Sequence, residues 1–298
     1  MLHLKTTGLI RKSLLLSSVL AGIASCSDNE PTSVETQAGG AGSNPSAADI
    51  HESSLVLDAH ADIVIPSTSR AYMSDDGTSK VDPAKMRAGG VDAVVMSVAV
   101  GPGPRTMEGD AAARAEADEK IAAVHTLVEE SQGQVVIATT SSEIVAAHEA
   151  GKSALILGFQ NARSLQGNIS AIDEFYAKGV RIFGLNHLGH NAFSDSSRPE
   201  FNGETGAFEV TEEHGGLSTL GVAAVEKIGA LGALVDVSQL SKAATLQVLA
   251  LTRTPIIASH SNAKTVSDVT RNLSDEEIDL IGENGGVIHV AAFKGYLI

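Results

Sequence analysis

The 298-residue chain carries 21 Lys+Arg against 36 Asp+Glu, a formal charge of −15, with 43% hydrophobic and 19% charged residues. That balance supports a folded core and excludes global disorder. Its acidity excludes nucleic acid or an anionic lipid surface as the main partner, and its one cysteine excludes both an intramolecular disulfide and a thiolate zinc site.

The chain opens with Lys5, Arg11 and Lys12, runs through Leu14-Leu15-Leu16-Ser17-Ser18-Val19-Leu20 and reaches Ile23-Ala24-Ser25-Cys26. This is the order of a bacterial lipoprotein signal, and the apolar run is too short to span a bilayer. Residues 1–25 are read as a cleaved signal peptide and Cys26 as the lipidated residue. The expected location is the bacterial cell envelope, on its periplasmic or extracellular face, with membrane contact through the lipid anchor only. Residues 26–49, with Gly39-Gly40-Ala41-Gly42-Ser43-Asn44-Pro45 among them, read as a flexible tether. Residues 50–298 read as one folded domain.

From Leu55 onward, short β-branched apolar runs alternate with helical periodicity. The runs predict buried parallel strands at Leu55–Leu57, Ala93–Val100, Ala154–Gly158, Val180–Leu185, Ala233–Ser238, Pro255–Ser259 and Gly286–Phe293. Helices are predicted at Ala111–Glu130, Ser142–Ala150, Ile169–Lys178, Thr219–Ala230, Lys242–Leu251 and Ser274–Asn284. Start signals stand at Ser141 or Ser142 and at Ser274-Asp275-Glu276-Glu277. The alternation predicts an α/β fold with a parallel sheet. Polar residues follow many strand ends: His60 and Asp62, Gln160, Asn186 and His187, Gln239, His260. A (β/α)8 TIM-like barrel brings all those ends to one rim, so the barrel is the expected architecture. No Gly-x-Gly-x-x-Gly turn follows the first strand, which removes the main support for a dinucleotide-binding sheet.

His60-Ala61-Asp62 is the sharpest motif. Alternate residues of a strand point the same way, so this imidazole and carboxylate can grip one cation; a hydrogen-bonded loop pair is the plainer alternative. His260 directly follows the apolar run Ile256-Ile257-Ala258 and Ser259. A lone histidine there is more often structural, but the His60/Asp62 pair makes a ligand role the better reading. His187 is placed to bind substrate or polarise a carbonyl, whereas His190, in the loop beyond it, reads as solvated. Arg271, ahead of the last helix, is either a bidentate clamp for a substrate carboxylate or a surface arginine. His125, His148 and His214 receive no role. Neither a Gly-x-Ser-x-Gly elbow nor a phosphate loop is present.

In their order and spacing these blocks resemble the membrane dipeptidase (renal dipeptidase-like, peptidase M19) family, from about Leu55 to the C-terminus. The resemblance rests on Val56-Leu57-Asp58-Ala59-His60-Ala61-Asp62, Arg181-Ile182-Phe183-Gly184-Leu185-Asn186-His187 and Gly216-Leu217-Ser218-Thr219-Leu220-Gly221. It continues through Leu234-Val235-Asp236-Val237-Ser238-Gln239, Pro255-Ile256-Ile257-Ala258-Ser259-His260-Ser261, Arg271-Asn272-Leu273-Ser274-Asp275 and Asn284-Gly285-Gly286-Val287-Ile288. It implies a metal-dependent hydrolase barrel that cleaves dipeptides with a water activated by two Zn2+ ions. The implied ligands are His60 and Asp62 for the first ion and His260 for the second. His187 is the implied catalytic and substrate-binding residue, and Arg271 the clamp for the dipeptide carboxylate. A homodimer is left open as the assembly.

Three departures from the family pattern shape the expectation. Its bridging glutamate falls on Gln160, and the histidine of its Asp-x-Ser-His block falls on Gln239. An amide is uncharged and a poorer ligand than carboxylate or imidazole, so one ion or two is the expectation, with a weak or empty second site. The family also continues beyond Phe293 into an eighth strand ending Gly-x-Asp-Phe, whereas here Lys294-Gly295-Tyr296-Leu297-Ile298 close the sequence. The expectation is therefore a barrel lacking its last strand and helices, with unpaired apolar edges and no helix at the end. A single-metal amidohydrolase on another amide or lactone, and a catalytically silent binding protein of the same fold, stand as the alternatives.

Overall fold

The structure, a computed structural model, describes residues 44–202 and 206–297; Cys26, the signal peptide and most of the expected tether lie outside them. In chain order the elements are α1 (Ala47–Ser53), β1 (Leu57–Asp62), α2 (Pro83–Gly89), β2 (Ala93–Ala99), α3 (Met107–Glu130), β3 (Val135–Ile137), α4 (Ser141–Glu149) and β4 (Ser153–Gln160). There follow α5 (Ala171–Ala177), β5 (Val180–Gly184), β6 (Phe201–Asn202), β7 (Ala207–Phe208), α6 (Thr219–Ala230), β8 (Leu234–Asp236) and α7 (Lys242–Leu251). The last four are β9 (Ile257–Ser261), α8 (Asp275–Glu283), β10 (Val287–Val290) and α9 (Lys294–Leu297).

All strands of the main sheet run parallel, in the order β1-β2-β4-β5-β8-β9-β10. This is the nearly closed α/β barrel that the apolar runs predict. β3 pairs with β4 through Val135–Ile137, ahead of the stretch where β5 pairs. Among the described residues β1 and β10 do not pair with each other, and Val287, Val290 and Phe293 are exposed.

Alternation along the strands builds two apolar layers. Val94, Met96 and Val98 of β2, with Leu155, Leu157 and Phe159 of β4, pack against Ala113, Ala117, Ile121 and Val124 of α3. The intervening Ala93, Val95, Ala154 and Ile156 join Ile182 and Ile257 in a second, smaller cluster inside the barrel. Gln160 shares the inward parity of Ala154 and Ile156, which aims its amide into the barrel mouth. Both faces of β2 and β4 are buried, which is why these strands read as continuous apolar runs.

Several expectations need correction. β1 begins at Leu57 rather than Leu55 and runs through Asp62, with a register shift between Asp58 and Ala61. His60 and Asp62 therefore lie within the strand. α4 is capped by Thr140, not by Ser141 or Ser142: the Thr140 hydroxyl accepts from Glu143 N, and the Glu143 carboxylate accepts from Thr140 N. α1 starts inside the segment read as tether, because Ser46 and Asp49 form the same reciprocal cap. A short helix, α9, forms at Lys294–Leu297 where no helical pattern was expected.

A long connection, residues 185–218, leads from β5 to α6 across the rim. Its anchor is Asp195, fully buried, whose carboxylate accepts backbone N–H groups of Glu213, His214 and Gly216. The connection then presses α6 against its own backbone: a Cβ added at Gly221 would stand 2.0 Å from Phe193 O. Alanine gains about 1 kcal/mol over glycine from helix propensity, but such an overlap forces a backbone shift costing about 1–3 kcal/mol or more. Gly221→Ala is expected to lower stability in urea denaturation; an unchanged or raised midpoint contradicts this packing.

Candidate metal centre

His60 of β1 and His260 of β9 face each other across the barrel mouth. Their strands are not neighbours in the sheet, yet the imidazole rings stack with centroids 3.8 Å apart and planes 22° from parallel. Among the described residues, His60, His260 and Asp236 each bring one ligand atom within 4.8 Å of the others.

Asp236, the last residue of β8, is already engaged. Its Oδ1 accepts from Ser238 N at 2.9 Å and Ser259 N at 3.0 Å, and its Oδ2 accepts the Ser259 hydroxyl at 2.5 Å. Ser259 Oγ lies 2.7 Å from His260 Nδ1. Since the serine proton goes to the carboxylate, the remaining proton of that contact is on Nδ1, and His260 Nε2 is left bare toward the centre. Asp236 thus already accepts three hydrogen bonds and, through Ser259, orients the His260 ring. Sequence reasoning quoted its block but gave Asp236 and Ser259 no role; the available signal was a carboxylate ending a buried apolar strand.

Burial lowers the proton affinity of His260 well below the usual histidine value, and the nearby His60, Arg271 and His187 add to that effect. His60 is also shifted down by burial, against the opposing pull of the Asp62 and Asp236 carboxylates. Both rings are thus neutral near pH 7, the form that binds metal. Asp62 lies outside the three-residue cluster, and its charge acts on both His60 and His187.

His187, three residues beyond β5, places Nδ1 3.0 Å from Val100 O. A carbonyl only accepts, so Nδ1 carries the proton and Nε2 is an acceptor. Burial is the main cause of its lowered pKa. Gln239 and Gln160 both reach His260, with their Nε2 atoms 3.2 and 3.4 Å from His260 Nε2. Gln160 is buried, and its Oε1 has no hydrogen-bond partner.

Arg271 is only 4% exposed, which removes the surface-arginine reading. Its Nη1 donates to Ser261 Oγ at 3.1 Å and its Nη2 to His260 O at 2.8 Å; Nε has no partner. Both acceptors are uncharged, so the guanidinium is buried beside the centre with its charge uncompensated by these contacts. His190 is buried too, contrary to the solvated reading: Nδ1 accepts from Ser196 N and Nε2 donates to Val210 O. His214, given no role, donates from Nε2 to Asn191 O and braces the same connection.

The donor set fits a divalent cation. It combines the neutral His60 imidazole, the Asp62 carboxylate whose charge acts on it, and the buried Gln160 oxygen that lacks a donor, with the His260 ring stacked beside them. Asp236→Ala would strip an acceptor from two buried backbone N–H groups and one hydroxyl, each costing about 1–3 kcal/mol when unsatisfied. Loss of about 2–5 kcal/mol is expected in urea denaturation of the metal-free protein; a change under about 0.5 kcal/mol would show that these donors find other partners.

The chain matches a family model described as membrane dipeptidase (peptidase family M19) over residues 45–298. It is 31% identical over 176 residues to the dipeptidase verJ of Clonostachys rogersoniana, 59% of this chain and 43% of that protein. It is 30% identical over 146 residues to human dipeptidase 3, 49% of this chain and 29% of that protein. The matched regions thus span less than half the length of these curated relatives. Among solved structures, the probable dipeptidase PvdM of Pseudomonas aeruginosa superposes with a TM-score of 0.76 at 33% identity, covering 84% of this chain and 63% of that one. A metallopeptidase of Rhodobacter sphaeroides shares the fold, with a TM-score of 0.70 at 21% identity, 82% of this chain and 75% of that one. With the family pattern extending from Pro45 through the whole described barrel, the chain belongs to the membrane dipeptidase family, peptidase family M19.

Proposed function

We propose that the protein is a zinc-dependent dipeptidase that hydrolyses short peptides bearing a free C-terminal carboxylate. The observation that carries this reading is the buried guanidinium of Arg271, hydrogen-bonded only to uncharged acceptors and with no partner at Nε, beside two stacked neutral imidazoles. A cation site and an anion site side by side suit a molecule with a scissile carbonyl near one end and a carboxylate at that end.

A bound divalent ion supplies Lewis acidity and brings the pKa of water toward about 7. His60 and Asp62 of β1 would hold it. Arg271 receives the substrate carboxylate through the guanidinium N–H groups that Ser261 Oγ and His260 O leave free. This fixes the distance from carboxylate to scissile bond and excludes long peptides. His187, with its Nδ1 proton on Val100 O, presents Nε2 as an acceptor for a substrate N–H or for a proton. It donates to an oxyanion only as imidazolium.

The test compares a dipeptide with its C-terminal amide on the full chain loaded with zinc. Wild type is expected to favour the free carboxylate, and Arg271→Lys to lose at least about tenfold of that preference, about 1.4 kcal/mol, mainly through KM. His60→Ala is expected to abolish both zinc retention and hydrolysis. Equal rates on acid and amide, or full zinc retention by His60→Ala, would contradict the reading.

The envelope location is part of the same proposal. Its support is the order of basic residues, apolar run, small residues and Cys26. The proposed attachment is the lipid on Cys26, and no helix among the described residues is long and apolar enough to cross a membrane. Cys26→Ala is expected to move the protein from the membrane to the soluble fraction or to block its processing; unchanged fractionation and mature mass would contradict it.

A further inference from the structure

The two glutamine amides at His260 are not equally free. Gln239 Oε1 accepts from Leu188 N at 2.9 Å, so the end facing His260 Nε2 is the NH2 group. Turning that amide over would set NH2 against Leu188 N–H, leaving donors without an acceptor inside the protein. The backbone holds the side chain in place: Gln239 has φ 73°, and its carbonyl accepts from Ser197 N at 2.9 Å and Ser196 Oγ at 3.2 Å. The bare Nε2 of His260 is therefore met by a fixed hydrogen-bond donor. Gln160, by contrast, has an oxygen with no partner and is 2% exposed. Nothing ties its oxygen away from the centre, so the amide is free to present it.

The donors divide accordingly. Around the centre stand the His60 imidazole, stacked on His260 at 3.8 Å, the Asp62 carboxylate, whose charge acts on His60, and the unpartnered oxygen of Gln160, a nitrogen and two oxygens suited to one divalent ion. His260 Nε2 faces amide nitrogens instead, that of Gln239 at 3.2 Å and that of Gln160 at 3.4 Å.

Resting on the metal-dependent reading above, we propose that Gln239 closes the His260 side to metal, so that the protein holds one divalent ion, with His60, Asp62 and Gln160 Oε1 as its protein ligands. Gln239 is then a positioning residue. It joins Leu188, next to His187, to His260 of β9, and so fixes the substrate-facing loop with an amide where a second cation would otherwise stand.

The test is metal content by elemental analysis after zinc loading and dialysis at neutral pH, with circular dichroism to confirm folding. Wild type is expected to retain one ion per chain. Gln239→Leu is expected to retain the same ion while kcat/KM for a dipeptide falls about tenfold or more, because the His187 loop loses its tie. Gln160→Leu is expected to weaken zinc binding about tenfold or more. Gln160→Glu combined with Gln239→His is expected to retain two ions. Two ions on the wild type, loss of the ion in Gln239→Leu, or a folded double variant that stays at one ion each overturns the proposal. Zero ions on the wild type overturns the metal-dependent reading itself, and this proposal with it; two ions overturns this proposal alone.

Discussion

The Asp236 carboxylate holds the site together. β8 and β9 share a short ladder, with Asp236 opposite Ile257 as the registered pair and Val237 N bonded to Ile257 O. The side chain adds what this ladder lacks, accepting from Ser238 N on its own strand's end and from Ser259 N and Oγ on the next. Through Ser259 it also sets which nitrogen of His260 carries the proton. One buried anion thus fixes the strand ends, the serine rotamer and the imidazole tautomer at once, a chain of charge-assisted bonds in a low-dielectric setting.

Electrostatics around this chain favour neutral imidazoles beside a positive guanidinium. Burial lowers the proton affinity of His60, His187 and His260, and the charge of Arg271 pushes His60 and His260 further down. Asp62 and Asp236 pull His60 the other way. The result is a mouth of neutral imidazoles beside a buried guanidinium whose hydrogen bonds go to uncharged acceptors. The same burial makes each polar group costly to leave unpaired, so the free Oε1 of Gln160 and free Nε of Arg271 stand out as groups awaiting a partner.

The barrel was legible in the sequence because its strands are buried on both faces and so read as continuous apolar runs, as in Ala93–Ala99 and Ser153–Gln160. β3 has three residues and β6 and β7 two each, too few to show a period. The polar residues His60, Gln160, His187, Gln239 and His260 were legible as a rim because they follow or end those runs. Their contacts were not. The oxygen of Gln239 goes to Leu188 N because Gln239 adopts a left-handed backbone, and no residue type announces that. From the residues alone Arg271 is either a carboxylate clamp or a surface arginine, and only the segment folded over β9, with Tyr296 at 5.1 Å, shows that it is buried. Asp236 was missed for the opposite reason: its motif was plain, but its importance lies in three donors brought to it by folding.

The central claim is that the Asp236–Ser259 chain sets the tautomer of His260 and leaves Nε2 bare. The nitrogen NMR spectrum of metal-free protein labelled at histidine reads this directly. The account predicts that His260 is neutral at pH 7 with a protonated Nδ1 and an unprotonated Nε2. A proton on Nε2, or an imidazolium at that pH, would contradict it.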